Sequence, residues 1–154
     1  MNTSAQSTKA MALYVHWPFC VSKCPYCDFN SHVVEHVDHG AWRDALLREL
    51  AYEVERCDAT HLKSIFFGGG TPSLMDADTV SAVINAARTH WKPQGPPEDE
   101  LEITLEANPG TVDADRFAAF KDAGVNRVSL GVQSLDDEQL KFLGRKHSAA
   151  EAMH

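Results

Sequence analysis

The sequence predicts an α/β fold in which βα units surround a parallel sheet, and three observations carry that prediction. Short apolar or alternating runs recur along the chain as strands: Ala12 to His16, Lys63 to Phe67, Leu101 to Asn108 and Asn126 to Ser134. Stretches with helical apolar spacing separate them. Glycines and lone polar residues gather where these strands end. The alternation fits either a barrel or an open doubly wound sheet, and in both of these ligands collect at the C-terminal ends of the strands.

Met1 to Ala10 is polar and reads as a flexible N-terminus without an apolar targeting core. The first strand follows, and a cysteine-bearing loop leaves from its end. Asp38 is placed to cap a helix running to about Cys57, with Trp42, Leu46, Leu47, Leu50, Ala51 and Val54 forming its apolar stripe. Cys57 lies on the same stripe and reads as a buried core thiol. After the second strand come Gly68-Gly69-Gly70-Thr71-Pro72-Ser73 and a helix from about Asp76 to His90, faced by Val80, Val83, Ile84, Ala87 and Trp91. Lys92 to Glu100, rich in proline, reads as a surface loop.

The third strand alternates, with Leu101, Ile103, Leu105 and Ala107 on one face. Thr111 or Asp113 begins the next helix, Phe117 and Phe120 supply its apolar side, and Gly124 suits the left-handed position after its end. The fourth strand separates Val128, Leu130 and Val132 from Ser129, Gly131 and Gln133. A short helix from Asp136 to Leu143 stops at Gly144, and Ser148-Ala-Ala-Glu151 is a capping box that announces another helix. Four βα units fall short of a closed barrel of about 250 residues, so the chain is expected to be the N-terminal part of a longer protein.

Composition narrows the function. A net charge of −8 over 154 residues argues against nucleic acid or an anionic membrane as partner. No stretch approaches the roughly 18 apolar residues of a transmembrane segment. The expected location is cytoplasmic, where cysteines stay reduced and ligate metal rather than pair.

Cys20-Val-Ser-Lys-Cys24-Pro-Tyr-Cys27 places three thiols in eight residues. Soft thiolates hold zinc or iron–sulfur iron, and three without a local fourth suggest a centre that keeps one position open for chemistry. A zinc site completed by His16 or His32, or three ordinary cysteines, are the alternatives. The triple glycine lets backbone approach a ligand closely, with a plain strand-to-helix turn as the bland reading. It has neither the lysine of a Walker loop nor the spacing of a Rossmann fingerprint. Glu106, Gln133 and Arg145 each read singly as solvated polar residues, but on a parallel sheet they lie together where a bound molecule would sit, able to meet an amine, ribose hydroxyls or a carboxylate. His32, Glu35, His36 and His39 cluster on a polar loop and read as solvated surface, with metal or haem binding as the minor alternative.

Tyr14-x-His-x-Pro-Phe-Cys, Gly-Gly-Gly-Thr-Pro-Ser, Glu-Ala-Asn-Pro, Gly-Val-Gln-Ser and Leu-Gly-Arg-x-His-Ser together resemble radical S-adenosylmethionine (SAM) proteins of the oxygen-independent coproporphyrinogen oxidase superfamily. The resemblance runs from about Leu13 to His147. It implies the N-terminal portion of a partial (β/α)6 barrel, with residues 11–154 as a radical SAM core domain. It also implies a [4Fe-4S] cluster on Cys20, Cys24 and Cys27, and SAM contacts from Tyr14, Tyr26, Gly69, Gly70, Thr71, Glu106, Gln133 and Arg145. The true coproporphyrinogen dehydrogenases carry a further cysteine two residues beyond the third ligand, where this sequence has Phe29. It is therefore more similar to the HemW-type haem chaperones, which implies haem as cargo and a haem-accepting respiratory protein as partner. The second expectation is a redox enzyme taking electrons from a donor protein, in which SAM cleavage yields a radical that oxidises a porphyrinogen propionate. A zinc-binding structural module is the third.

Overall fold

The computed structural model describes residues 9–93, 101–111 and 113–153. Strands β1 (Ala10–Trp17), β4 (His61–Gly69), β6 (Glu102–Ala107) and β7 (Arg127–Leu130) form a parallel sheet in that spatial order. Their residues pair in register, Val15 with Phe67, Phe67 with Leu105 and Leu105 with Val128. Between them run α1 (His39–Arg56), α2 (Ala77–His90) and α3 (Ala114–Asp122), and α4 (Asp137–Phe142) and α5 (Ala149–Met153) follow β7. The short β2 (Phe19–Cys20) and β3 (His32–Val33) pair with each other, and β5 (Lys92–Pro93) extends the sheet beside the start of β4.

The strand order separates the two architectures that the sequence leaves open. Right-handed crossovers that always step in one direction put every helix on the same face, which curls the sheet into a barrel arc; a doubly wound sheet must reverse its order. Here the main strands run in chain order. Accordingly α1 packs on α2 and α2 on α3, along one side of the sheet.

That side holds the core. Trp17, Ile65, Phe67, Ile103 and Leu105 point toward the helices and are fully buried, meeting Val80, Val83, Ile84 and Ala87 of α2. Burial of each large side chain contributes about 1.5–3 kcal/mol. Residues of opposite parity, Tyr14, His16, Phe66, Thr104, Glu106 and Ser129, face the concave side of the arc. The concave side thus carries polar side chains beside the Tyr14 and Phe66 rings, a mixed lining of the kind that receives ligands.

Local signals account for the element ends. Asp38 Oδ1 accepts from Ala41 N at 2.9 Å and caps α1, and Asp113 Oδ1 does the same for Arg116 N of α3. Thr111 instead closes a 3₁₀ turn, Pro109–Thr111. Ser148 and Glu151 form the expected capping box, Glu151 Oε2 accepting from Ser148 N and Ser148 Oγ from Glu151 N. Gly124 has φ +110°, the left-handed position expected after α3.

Several expectations are corrected. Ala10 already belongs to β1, and residues 1–8 of the expected flexible N-terminus lie outside the described residues. Ala51 is exposed on α1, outside its packed face. Cys57 is half-buried at the C-cap and donates to Met11 Sδ at 3.6 Å, so it is an edge contact rather than an interior thiol. His39 is not solvated loop: it opens α1 and stacks on the Trp17 indole, centroids 5.6 Å apart. Most of the proline-rich loop after Lys92 lies outside the described residues.

Candidate functional site

The three cysteines leave β1 on a loop that the sheet itself holds in place. Gly70 N donates to Trp17 O at 2.7 Å and Thr71 N to Phe19 O at 2.8 Å, which continues the β1–β4 ladder beneath the loop. His32 N donates to Pro18 O at 2.7 Å and closes the loop's far side through the β2–β3 pair. Edge-to-face contacts of Phe19 with Trp17 and Trp42, centroids 5.2 and 5.0 Å apart, anchor its base in the core. All three thiols are free and half-buried, and they line one cavity of about 290 Å³.

The walls of that cavity come from successive strand ends. The end of β4 and the turn after it supply Gly69, Gly70 and Thr71; the end of β6 and the residue after it supply Glu106, Ala107 and Asn108; the segment after β7 supplies Gly131 and Gln133; and Arg145 arrives after α4. Gly70 has no room for a side chain, because a Cβ there would lie 2.7 Å from Phe19 O and 3.0 Å from Cys20 Sγ. Gly69, at φ +113°, turns its N–H onto Glu106 Oε2 at 3.3 Å. Burial pushes the Glu106 carboxyl above its ordinary pKa, partly offset by that N–H.

Arg145 crosses the cavity and ties three strand ends together. Its Nη2 donates to Asn108 Oδ1 at 2.7 Å and Gly131 O at 2.6 Å, while Nη1 reaches Cys24 Sγ at 3.5 Å and Tyr26 Oη at 3.4 Å. Gly144, at φ +69°, allows this approach, since a Cβ there would stand 2.9 Å from Pro25 Cδ. Burial raises the Tyr26 phenol's pKa, the Cys24 sulfur adds to the rise and the Arg145 charge opposes it.

Ten of the eleven residues expected at the site therefore meet at this cavity. Tyr14 does not line it. Its ring stacks on Phe66 farther down the concave face, and its hydroxyl meets His16 Nδ1 at 3.3 Å. The Tyr14 phenol's pKa is raised, first by burial and then by the charge of Glu106. Gln133 lies beyond the end of β7 rather than at its tip, at φ +73°, yet still reaches the cavity. Sequence reasoning gave Asn108 no role. Its signal was its place in the Glu-Ala-Asn-Pro motif, two residues past Glu106 and before proline.

The donors around the cysteine loop bear on which group it could hold. His16 Nε2 hydrogen-bonds Asn30 O at 2.9 Å and His32 Nε2 meets Asn30 Oδ1 at 3.1 Å, so both imidazoles are engaged away from the sulfurs. Among the described residues no three His, Cys, Asp or Glu side chains are grouped tightly enough to hold a single ion. A tetrahedral zinc at Zn–S distances of about 2.3 Å requires such grouping. A [4Fe-4S] cube spreads its thiolates farther apart around a larger body. Three free thiols facing a cavity, a glycine wall beside Cys20 and a cation at Cys24 fit a cluster with one iron left for another ligand.

Comparison with known proteins agrees with this geometry. The family described as the Radical SAM superfamily matches residues 14–154. Heme chaperone HemW of Escherichia coli is 47% identical over 143 residues, 92% of this chain and 37% of that protein. The mitochondrial Radical S-adenosyl methionine domain-containing protein 1 of Mus musculus is 47% identical over 148 residues, 96% of this chain and 32% of its own length. Among solved structures, coproporphyrinogen III oxidase (HemN) from E. coli, a radical SAM enzyme, superposes with a TM-score of 0.78 at 26% identity, covering 94% of this chain and 32% of its own. The chain thus spans about a third of the length of the curated relatives it matches. No described helix is long and apolar enough to cross a membrane. With a barrel arc, a three-thiol cavity at its strand ends and a family match over nearly its whole length, this chain belongs to the radical SAM superfamily and is similar to its HemW-type members.

Proposed function

We propose that the protein is a haem chaperone built on a radical SAM scaffold, binding haem and delivering it to a respiratory protein. Superfamily membership implies a [4Fe-4S] cluster and SAM. In this reading Cys20, Cys24 and Cys27 would hold the cluster, which when reduced would supply a single electron to bound SAM. The remaining roles fall to the chain's own groups. Gly69 and Gly70 present backbone without side chains to SAM, and Thr71 sits beside them. Glu106 accepts from the amine or ribose hydroxyls, Arg145 pairs with the carboxylate, Tyr26 flanks the adenine and Gln133 closes the far wall. Tyr14, lower on the concave face, would meet SAM only where the ligand extends toward it.

The observation that carries the chaperone reading is Phe29. It lines the cavity, is 59% exposed and occupies the position two beyond Cys27 with a ring that offers neither thiol nor proton. The likeness to E. coli HemW supports the same choice. The second reading, oxidative decarboxylation of a porphyrinogen propionate, is favoured by the likeness to the HemN fold. Anaerobic assays on the intact, iron-loaded protein separate them. The chaperone reading expects stoichiometric haem binding and unchanged coproporphyrinogen. Catalytic formation of vinyl product overturns it.

A further inference from the structure

Arg145 is held more firmly than a SAM contact alone would demand. Nη2 is saturated by Asn108 Oδ1 and Gly131 O, so Nη1 is left to Cys24 Sγ, at 3.5 Å, and to Tyr26 Oη, at 3.4 Å. Asn108 is itself fixed from both sides: Nδ2 donates to Thr71 Oγ1 at 3.3 Å, and its backbone N–H donates to Thr111 Oγ1 at 3.3 Å. Thr71 is 3% exposed and belongs to the segment that supports Cys20. Nε of Arg145 is buried without a partner among the described residues, so the side chain's approach to the sulfur is set by the Nη contacts.

Resting on the reading of Cys24 as a cluster ligand, we propose that Asn108 is a positioning residue that holds the Arg145 guanidinium against Cys24 sulfur and thereby raises the reduction potential of the cluster. A hydrogen bond and a positive charge at a ligating sulfur favour the state that carries the extra electron. Asn108 is suited to this task because its amide carries an acceptor for Arg145 and a donor for Thr71 on one rigid plane. Aspartate would keep the acceptor but add a negative charge. Leucine would remove both hydrogen bonds at similar volume.

The test is an EPR-monitored titration with dithionite, which supplies the single electron, on the intact reconstituted protein without SAM. Arg145→Gln should make the cluster about tenfold harder to reduce, a fall of ~59 mV for a one-electron couple. Asn108→Leu and Asn108→Asp should move the potential in the same direction, and Arg145→Lys should fall between wild type and Arg145→Gln. Unmoved potentials in iron-loaded variants overturn the proposal. Should a variant lose its iron, wild-type protein grown with ¹⁵N-guanidino arginine still decides: the reduced cluster should show ¹⁵N hyperfine coupling, and its absence refutes the contact. A wild-type protein that takes up no iron removes the cluster reading itself, a result distinct from an intact cluster without the coupling.

Discussion

Gly70 and Glu106 show how single side chains, or the lack of one, shape the cavity. At Gly70 a methyl group would press on Phe19 O at 2.7 Å, and backbone cannot yield as a flexible side-chain tip can. Gly70→Ala should cost about 1–3 kcal/mol of stability through overpacking and weaken SAM binding at least about tenfold, which is about 1.4 kcal/mol. Anaerobic calorimetry checks this; unchanged affinity would mean that the turn does not touch the ligand. Glu106 tests the electrostatics. Its folded-state pKa is raised by burial, so the folded protein holds that proton more tightly than the unfolded chain does. Stability should therefore fall as pH rises from the ordinary carboxylate range toward the raised value, then level off. Urea unfolding across that window should show the fall in wild type and a flatter profile in Glu106→Gln. Parallel profiles would contradict the assignment.

At the scale of elements, capping and pairing decide where each segment stops. Asp38→Ala removes the acceptor for Ala41 N and should cost about 1 kcal/mol, read as a lower denaturation midpoint with an unchanged slope. No change would imply that the α1 N-terminus is held by other contacts. The apolar stripes of α1 and α2 and the alternation of β6 were legible because burial on one face leaves a period in the sequence. Strand ends were less so. The alternation from Asn126 to Ser134 predicted a longer strand, but β6 pairs only as far as Ala107, opposite Leu130. Past that point Gly131 N donates to Ala107 O, Val132 N donates back to Leu130 O and Gln133 enters positive φ. A side-chain pattern carries no record of where the partner strand ends. Conversely, β4 runs on through Gly68 and Gly69, because Trp17 still pairs there despite glycine's low strand preference.

Across the whole molecule, residues separated by more than a hundred positions act together. Arg145 meets Cys24 at a separation of 121 residues, and no spacing rule announces such a contact. What the sequence did announce was which residue types stood at strand ends, and a parallel sheet brings all strand ends to one rim. Hence the cysteines, the glycine turn, Glu106, Gln133 and Arg145 were identifiable without their mutual geometry. Tyr14 shows the limit, since a residue placed by resemblance came to lie on the concave face below the cavity. Asn108 shows the complementary one, because a short amide at a turn resembles any loop asparagine until its two partners are seen.

The most direct test is Mössbauer spectroscopy of the intact protein reconstituted anaerobically with ⁵⁷Fe, recorded with and without SAM. About four irons per chain, one of which changes its spectrum when SAM is added, is the predicted result, and Cys24→Ala should lose that spectrum. Bound zinc in place of iron, or four irons indifferent to SAM, would contradict a cluster held by Cys20, Cys24 and Cys27 with one iron open.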